Sequence, residues 1–297
     1  MADDSLNINK GKCLKYKKNT SDSHRIFVFD LDETIGSFSE LYNLFKYIEN
    51  LQNNIPIYDN EKDLLFSLLD IYPEFFRYGI FILFKYLYEK KKLANNINIY
   101  IYTNNSCIPI SWTSMIVEYI EMKWNLKGLF DNIIRVFKIG NTIIENNRTT
   151  NDKTYKDLVR CIKLSNNAEI CFIDNVDFPK MRHRHVYYLR PKPYYHYIDR
   201  NTIINRFLKT SYGEIFIKNN DLNFDESYNE IKNYYIENNL LCDTFIKSEQ
   251  EMEIDILVSK KLLHHCKYFF YLIITNAKTK KKNANPTLNK TQKIIKV

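Results

Sequence analysis

The sequence predicts an α/β fold built on a mostly parallel sheet that is flanked by helices. Short apolar runs alternate along the chain with stretches of helical periodicity, which is typical of parallel βαβ units. Three of the apolar runs end in Asp or Thr and continue into polar residues. Because parallel strands bring their carboxyl ends to one edge of a sheet, we expect these polar ends to meet there. With 297 residues, 45% of them hydrophobic, the chain can bury a sizeable core.

Each element is predicted from its own pattern. Uninterrupted apolar or β-branched runs predict strands, and apolar residues spaced three or four apart predict helices. The predicted strands are residues 25–29, 97–102, 133–137, 170–173 and 186–189. The predicted helices are residues 41–51, 64–69, 81–93, 112–124, 155–164, 228–241 and 254–274, and Gly140-Asn141 predicts a turn.

The composition along the chain predicts four parts. Residues 1–23 are polar and aperiodic, which predicts a disordered basic tail. Residues 24–210 hold the α/β domain, with a helical insert at about 38–72 that follows the first strand. The pattern then becomes helical and polar, so residues 211–275 are predicted to form a helical extension. Residues 276–297 are predicted to be a flexible basic tail.

Charge and cysteine spacing bound the surroundings and partners of the protein. Part of the net charge of +8 comes from lysines near both ends, which suits nucleic acid, although most basic tails are simply solvated. The six cysteines show no metal-ligand spacing and the first residues show no signal-peptide pattern, so we expect free thiols in the cytoplasm. The most apolar stretches, 80–88 and 268–274, are too short to span a membrane.

The strongest chemical signal is a pair of aspartates, Asp30 and Asp32, directly after the first predicted strand. A buried structural position would not favour two acids without partners, because burying an unpaired charge is costly. A Mg²⁺ ion bound by the pair would remove that cost, since Mg²⁺ prefers oxygen ligands. A carboxylate in this position can also act as a covalent nucleophile on phosphorus.

Three further polar positions follow the later strands. Thr103 ends the second strand, Asp174 and Asn175 follow the strand at 170–173, and a lysine lies between them at Lys153 or Lys156. Taken alone, Thr103 is compatible with an ordinary turn and either lysine with a solvated charge. His183 and His185 lie among arginines, which favours a basic surface loop over a metal site.

The ordered set of Asp30, Asp32, Thr103, the lysine and Asp174 resembles the haloacid dehalogenase (HAD) superfamily of phosphotransferases. Within it, the first motif is most similar to the branch that contains the NLI-interacting-factor-like phosphatases and the phosphatases of the RNA polymerase II carboxy-terminal domain. The segment 76–80 is similar to the Arg-Pro-Gly element of that branch, with Tyr78 in place of proline. The block 130–174 resembles uncharacterised HAD-like proteins of large DNA viruses. The resemblance covers about residues 25–200.

This resemblance implies a Rossmann-like core and Mg²⁺-dependent hydrolysis of a phosphomonoester through an aspartyl-phosphate. Asp30 would be the nucleophile, and Asp32 would protonate the leaving oxygen and then activate water. The metal ligands would be Asp30, the backbone carbonyl of Asp32, and Asp174 or Asn175.

The remaining residues of the motifs would bind and neutralise the phosphoryl group. Thr103 would bind a phosphoryl oxygen, and Thr34 and Asn104 would add phosphate contacts. The lysine would orient the nucleophile. Lys153 matches the superfamily pattern and Lys156 matches the polymerase-tail phosphatases, so the sequence leaves this choice open.

The sequence also leaves the substrate open. We expect a phosphoprotein, with a small phosphomonoester also possible in the same site. One alternative is a nucleotide or polynucleotide-end phosphatase, and another is a non-catalytic HAD-like scaffold that binds a phosphorylated partner. The helical insert is expected to lie over the catalytic edge, and the sequence leaves open whether it acts there as a partial cap or a substrate-selecting lid. If the protein is viral, it is expected in the host cytoplasm. The oligomeric state is not predicted.

Overall fold

A computed structural model describes residues 5–18, 23–50, 60–107, 111–164, 168–237 and 247–275 of the chain. Its strands are β1 (Leu6–Lys10), β2 (Leu14–Tyr16), β3 (Arg25–Phe29), β4 (Ile97–Tyr102), β5 (Asn132–Ile134), β6 (Lys138–Ile139), β7 (Thr142–Ile143), β8 (Glu169–Ile173), β9 (Val186–Pro191) and β10 (Leu272–Ile274). Six of them form the central sheet in the order β1-β9-β8-β3-β4-β5. All pairs in that sheet are parallel except β1 with β9, so the predicted α/β class with a mostly parallel sheet is confirmed.

The helices cover both faces of this sheet. They are α1 (Phe38–Asn50), α2 (Glu61–Ile71), α3 (Ile80–Leu93), α4 (Trp112–Lys123), α5 (Tyr155–Cys161), α6 (Arg200–Leu208), α7 (Ser211–Asn219), α8 (Phe224–Glu237) and α9 (Glu249–Phe269). Leu158 of α5 belongs to the smaller apolar cluster on one face, and most of the other helices contribute to the larger cluster on the opposite face. Each helix that the structure describes is too short or too polar to cross a membrane.

Strand β3 is continuously apolar because it lies in the middle of the sheet. All five of its residues are buried, since β4 and β8 flank its edges and helices cover its faces. Successive side chains of a strand point to opposite faces. Phe27 and Phe29 accordingly lie in the larger apolar cluster, and Ile26 and Val28 in the smaller one. This explains why the run shows no polar alternation.

The chain builds the sheet outward from β3, first on one side and then on the other. From β3 the chain adds β4 and β5 on one side, and then β8 and β9 on the other. Such a topological switch point opens a crevice outside the carboxyl ends of the two central strands. Asp30 and Asp174 directly follow the paired residues Phe29 and Ile173, so the fold places both carboxylates beside this crevice.

The prediction that residues 1–23 are disordered is wrong for the two short strands they contain. β1 pairs with the edge strand β9, and β2 pairs with β10. Gly11 joins them at a close approach, because a Cβ at this position would lie 2.4 Å from the backbone oxygen of Arg184. Leu14 is fully buried. The polar composition misled the prediction because distant strands, not local periodicity, stabilise this segment.

The prediction of a helical extension over residues 211–275 is wrong at its C-terminal end, where the chain forms a strand. The helices of this region also pack into the common core. Residues 272–274 form β10, whereas a helix was predicted through 274. Val258, Leu262 and Phe269 of α9 are buried in the same cluster as the central strands. The buried Arg25 side chain donates hydrogen bonds to the carbonyls of Phe269 and neighbouring residues, which fixes the end of α9 to the start of β3.

Most other predicted elements are confirmed within a few residues. The insert at 38–72 contains α1 and α2, and these helices pack into the common core instead of forming a separate lid. The helix predicted at 228–241 corresponds to α8, and the strand at 133–137 is shorter than predicted. Helix α6 was not predicted. The predicted tail at 276–297 lies outside the described residues.

We expect the Leu14→Ala substitution to lower the free energy of unfolding by about 2–5 kcal/mol, because it leaves a cavity at a fully buried position. Chemical denaturation followed by circular dichroism measures this change. Lys15→Ala is the matched control, since Lys15 is exposed in the same strand. Equal stability of the Leu14 variant and the wild type would contradict the ordered N-terminal segment.

Candidate active site

Asp30 and Asp174 form the centre of the site at the carboxyl edge of the sheet. Their side chains are buried, with residue exposures of 7% and 0%. The backbone amide of Asp30 donates to the carbonyl of Ile173, which fixes the two strand ends against each other. Two buried carboxylates at this position need a positive charge between them.

Lys153 supplies that charge. Its Nζ donates hydrogen bonds to Asp30 Oδ1 at 2.5 Å and to Asp174 Oδ2 at 2.7 Å, and the residue is 2% exposed. Burial by itself would lower the pKa of Lys153, but the charges of Asp174 and Asp30 outweigh burial and raise it. The ammonium therefore stays protonated and holds the two carboxylates together.

The structure brings Lys153 and not Lys156 to this site. Lys153 lies just before α5, which begins at the N-cap Thr154, whose side chain accepts a hydrogen bond from the amide of Asp157. Lys156 is exposed on the first turn of that helix. Because the cap fixes where the helix starts, the side chain of Lys153, just before the cap, points into the site, whereas Lys156 faces solvent.

Asp32 lies two residues beyond Asp30 and is only partly buried. Its Oδ2 accepts a hydrogen bond of 2.9 Å from the side-chain amide of Asn105, and its Oδ1 has no hydrogen-bond partner among the described residues. Burial, followed by repulsion from Asp30, raises the pKa of Asp32 to about 7, against the lowering effect of Asn105. A carboxyl group with this pKa can both donate and accept a proton near neutral pH.

Thr34 joins the two loops that carry Asp30 and Asp174. Its hydroxyl donates to Asn175 Oδ1 at 2.8 Å and accepts from the backbone amide of Asn175 at 3.0 Å. Asp30 Oδ2 lies 3.4 Å from the same hydroxyl. The side chains of Thr34 and Asn175, predicted to bind phosphate and metal, therefore also hold these loops in register.

Thr103 and Asn104 lie where β4 ends, at the same edge of the sheet. The Thr103 hydroxyl is buried and accepts a hydrogen bond of 2.9 Å from the amide of Asn105. Asn104 Oδ1 accepts from Arg148 Nη2 at 2.7 Å, so this oxygen is bound within the protein. In the structure Asn105 is therefore the hydrogen-bond partner of Asp32, and Asn104 is the partner of Arg148. The sequence analysis did not select Asn105.

Arg148 is a buried residue whose role the sequence did not reveal. Its guanidinium donates to the carbonyls of Thr103 at 3.1 Å and Arg135 at 2.7 Å, besides Asn104. It therefore fixes the strand end that carries Thr103. The spacing of apolar residues gives no sign of this contact, because the partners are backbone carbonyls that any residue provides.

Arg77 fixes the loop of residues 30–34. Its Nε donates to the carbonyl of Thr34 at 2.6 Å, and its Nη2 donates to the carbonyls of Glu33 at 2.6 Å and Lys192 at 2.9 Å. Glu33 has a φ of +53°, a left-handed conformation that non-glycine residues rarely adopt. The two bonds from Arg77 stabilise this turn directly after Asp32.

The charged side chains of the site give it a net negative charge. Three aspartates face one lysine, and burial raises the pKa of Asp174 to about 7, although Lys153 acts to lower it. Among the described residues, no group of three or more His, Cys, Asp or Glu side chains is placed to hold a metal ion. The predicted ligand set instead combines two carboxylates with a backbone carbonyl and an amide.

Comparisons of the chain with models of known families, with curated proteins and with solved structures found no match.

We expect Lys153→Met to lower the free energy of unfolding by about 3–5 kcal/mol in metal-free buffer at neutral pH, because it leaves two buried carboxylates without their cation. Lys156→Met is the matched control and is expected to change stability by less than about 0.5 kcal/mol. Urea denaturation of both variants measures the difference. Equal stabilities would contradict the assignment of Lys153 as the buried bridge.

Proposed function

We propose that the chain is a Mg²⁺-dependent phosphomonoester hydrolase of the HAD type. One observation carries the proposal: a buried lysine joins carboxylates at the ends of two neighbouring parallel strands, and a second aspartate follows the first by two residues. The mostly parallel sheet with its switch point beside β3 is compatible with a Rossmann-like core of that superfamily.

In this proposal Asp30 is the nucleophile. Lys153 binds Asp30 Oδ1, whereas among the described residues Oδ2 has only the longer contact of 3.4 Å with Thr34. Oδ2 is therefore the oxygen that attacks phosphorus, and an aspartyl-phosphate forms as the bond to the leaving oxygen breaks. The Lys153 ammonium fixes the direction of this oxygen and offsets part of the phosphate charge.

Asp32 serves as the acid and then the base. In the first step its proton passes to the leaving oxygen, which departs as an alcohol. In the second step it takes a proton from a water molecule, whose oxygen attacks phosphorus and releases inorganic phosphate and Asp30. The hydrogen bond from Asn105 to Oδ2 orients the carboxyl group and leaves Oδ1 for the proton transfer.

The residues present fit a bound Mg²⁺ ion. Asp30, Asp174, the backbone carbonyl of Asp32 and the side chain of Asn175 offer the oxygen donors that this ion prefers. The single ammonium of Lys153 leaves three aspartates undercompensated, and Asp32 Oδ1 is an acceptor without a partner among the described residues. When bound, Mg²⁺ would neutralise charge between the nucleophile and the phosphate.

We propose a phosphoprotein as the substrate. The net charge of +8 favours an anionic macromolecule over a neutral one. The insert helices α1 and α2 pack into the common core, so they are not a separate hinged cover. A site without such a cover would admit a phosphorylated side chain that belongs to a longer polypeptide.

We expect Asp30→Asn to lower the Mg²⁺-dependent hydrolysis of p-nitrophenyl phosphate by at least about 10³-fold, because an amide cannot form the acyl-phosphate. Excess EDTA is expected to abolish the wild-type activity, and added Mg²⁺ to restore it. Asp177→Asn is the control, a partly exposed aspartate of the same edge that pairs with Arg182. Unchanged turnover in the Asp30 variant would rule out the covalent mechanism.

We expect Asp32→Asn to slow steady-state turnover by about 10²–10⁴-fold, since it removes the acid and base. With p-nitrophenyl phosphate, whose leaving group needs little protonation, this variant should release a burst of one p-nitrophenol per protein before the slow phase. Rapid-mixing absorbance measures the burst. A slow phase without a burst would show that phosphorylation of Asp30, and not water attack, depends on Asp32.

A panel of phosphopeptides, nucleotides and 3′- or 5′-phosphorylated oligonucleotides tests the substrate class. We expect kcat/KM to be highest for phosphopeptides, with malachite-green detection of released phosphate. A preference for oligonucleotides would overturn the phosphoprotein assignment and leave the hydrolase mechanism standing. Mg²⁺-dependent binding of phosphopeptides with no phosphate release would favour the non-catalytic scaffold.

A further inference from the structure

A groove of about 400 Å³ lies where β3 and β4 begin, at the edge of the sheet opposite the aspartate site. Arg25 and Ile97, the first residues of these strands, line it together with the C-terminal ends of α3 and α9. Its basic residues are Arg25, Lys90 and Lys267, and none of the described residues that line it is acidic. The charge of this basic groove therefore favours an anion.

The two lysines of the basic groove lie close together. Lys90 Nζ is 5.7 Å and Lys267 Nζ is 5.3 Å from the ring centroid of Tyr86, and within the described part of the chain neither ammonium forms an ion pair. Arg25 differs, because its buried guanidinium already binds main-chain carbonyls and lies beside Glu169. Two ammonium groups beside one ring repel each other, and an anion bound between them would reduce this repulsion.

A row of tyrosine rings leads from the basic groove across the surface. Tyr271 lines the groove and stacks with Tyr16 of β2 at a centroid separation of 5.8 Å, and Tyr16 stacks with Tyr268 at 6.1 Å. Tyr16 and Tyr271 are 58% and 44% exposed, although the size of a tyrosine ring favours burial. Lys10 Nζ lies 6.0 Å from the ring centroid of Tyr268, so this tyrosine row has lysines at both ends.

We propose that the basic groove and the tyrosine row bind single-stranded nucleic acid. Proteins that bind single strands combine a basic groove, which follows the backbone, with aromatic side chains on which the bases stack. Lys90 and Lys267 bind backbone phosphates, and the exposed rings of Tyr16 and Tyr271 stack with bases. An acidic polypeptide would pair with the lysines but would leave the exposed rings without a planar partner, so the rings favour nucleic acid.

Fluorescence anisotropy of the full-length protein with labelled oligo(dT) of about 15 nucleotides tests the proposal. The strand carries no terminal phosphate and the buffer contains EDTA, so the result does not depend on the proposed phosphatase activity. We expect the Kd of the single strand to be at least about fivefold lower than that of a duplex of the same length, because paired bases are not open for stacking.

A surface that acts through charge alone would give the opposite order, since the duplex has the higher density of phosphates. Equal affinities, or tighter binding of the duplex, would therefore overturn the proposal. Failure of the single strand to bind at high micromolar protein concentration in low salt would also overturn it.

Two pairs of variants locate the binding. Tyr271→Ala is expected to raise the Kd of oligo(dT) at least about fivefold, whereas Tyr78→Ala, which changes an exposed tyrosine outside the row, is expected to leave it unchanged. Lys90→Gln is expected to lower the slope of log Kd against log salt by about 0.7. Lys209→Gln removes the same charge from an exposed position after α6 and is expected to leave the slope unchanged.

Circular dichroism checks the folding of each variant, and Tyr271→Leu, which keeps the apolar contact without the ring, replaces the alanine variant if that variant unfolds. Equal Kd values for the variants of Tyr271 and Tyr78, or an unchanged salt slope for Lys90→Gln, would place the binding on other lysines and overturn the proposal. Displacement of oligo(dT) by polyglutamate at equal charge concentration would indicate a site for acidic polypeptides and would overturn it as well.

Discussion

The ion bridge of Lys153 between Asp30 and Asp174 is the interaction on which the organisation of the site depends. Two carboxylates buried side by side repel each other, and their burial is tolerated only with a cation between them. The parallel register of β3 and β8 places both acids at the same height. The N-cap Thr154 then sets the start of α5, and the residue before the cap reaches the gap. The register of β3 with β8, the N-cap of α5 and the charge of Lys153 are therefore all needed to form the bridge.

The loops around this bridge are held by arginines that use backbone carbonyls as acceptors. Arg77 binds the carbonyls after Asp32, and Arg148 binds the carbonyl of Thr103. Neither guanidinium pairs with an aspartate of the site. A guanidinium pairs with both oxygens of a carboxylate, whereas Lys153 binds one oxygen each of Asp30 and Asp174. Because the arginines fix the loops through carbonyls, the aspartates have one lysine as their cation.

The strands and the aspartates could be predicted because their signals are local. β3 and β8 are buried on both faces and so are apolar without interruption, and Asp30 and Asp174 follow at once in the sequence. The choice between Lys153 and Lys156 could not be made, since both precede or begin the same helix and only the tertiary contact distinguishes them. β1 and β2 were missed because their partners, β9 and β10, lie far away in the sequence. The contacts of Arg77 and Arg148 were missed for the same reason.

Arg77 fixes the turn after Asp32 through a single rigid group. The guanidinium is planar, so the bonds from Nε to the carbonyl of Thr34 and from Nη2 to the carbonyl of Glu33 hold these two carbonyls in one geometry. A third bond, from Nη2 to the carbonyl of Lys192, joins the turn to the segment after β9. The left-handed conformation of Glu33 therefore depends on a contact between segments that lie far apart in the sequence, because its own loop supplies none of the three donors.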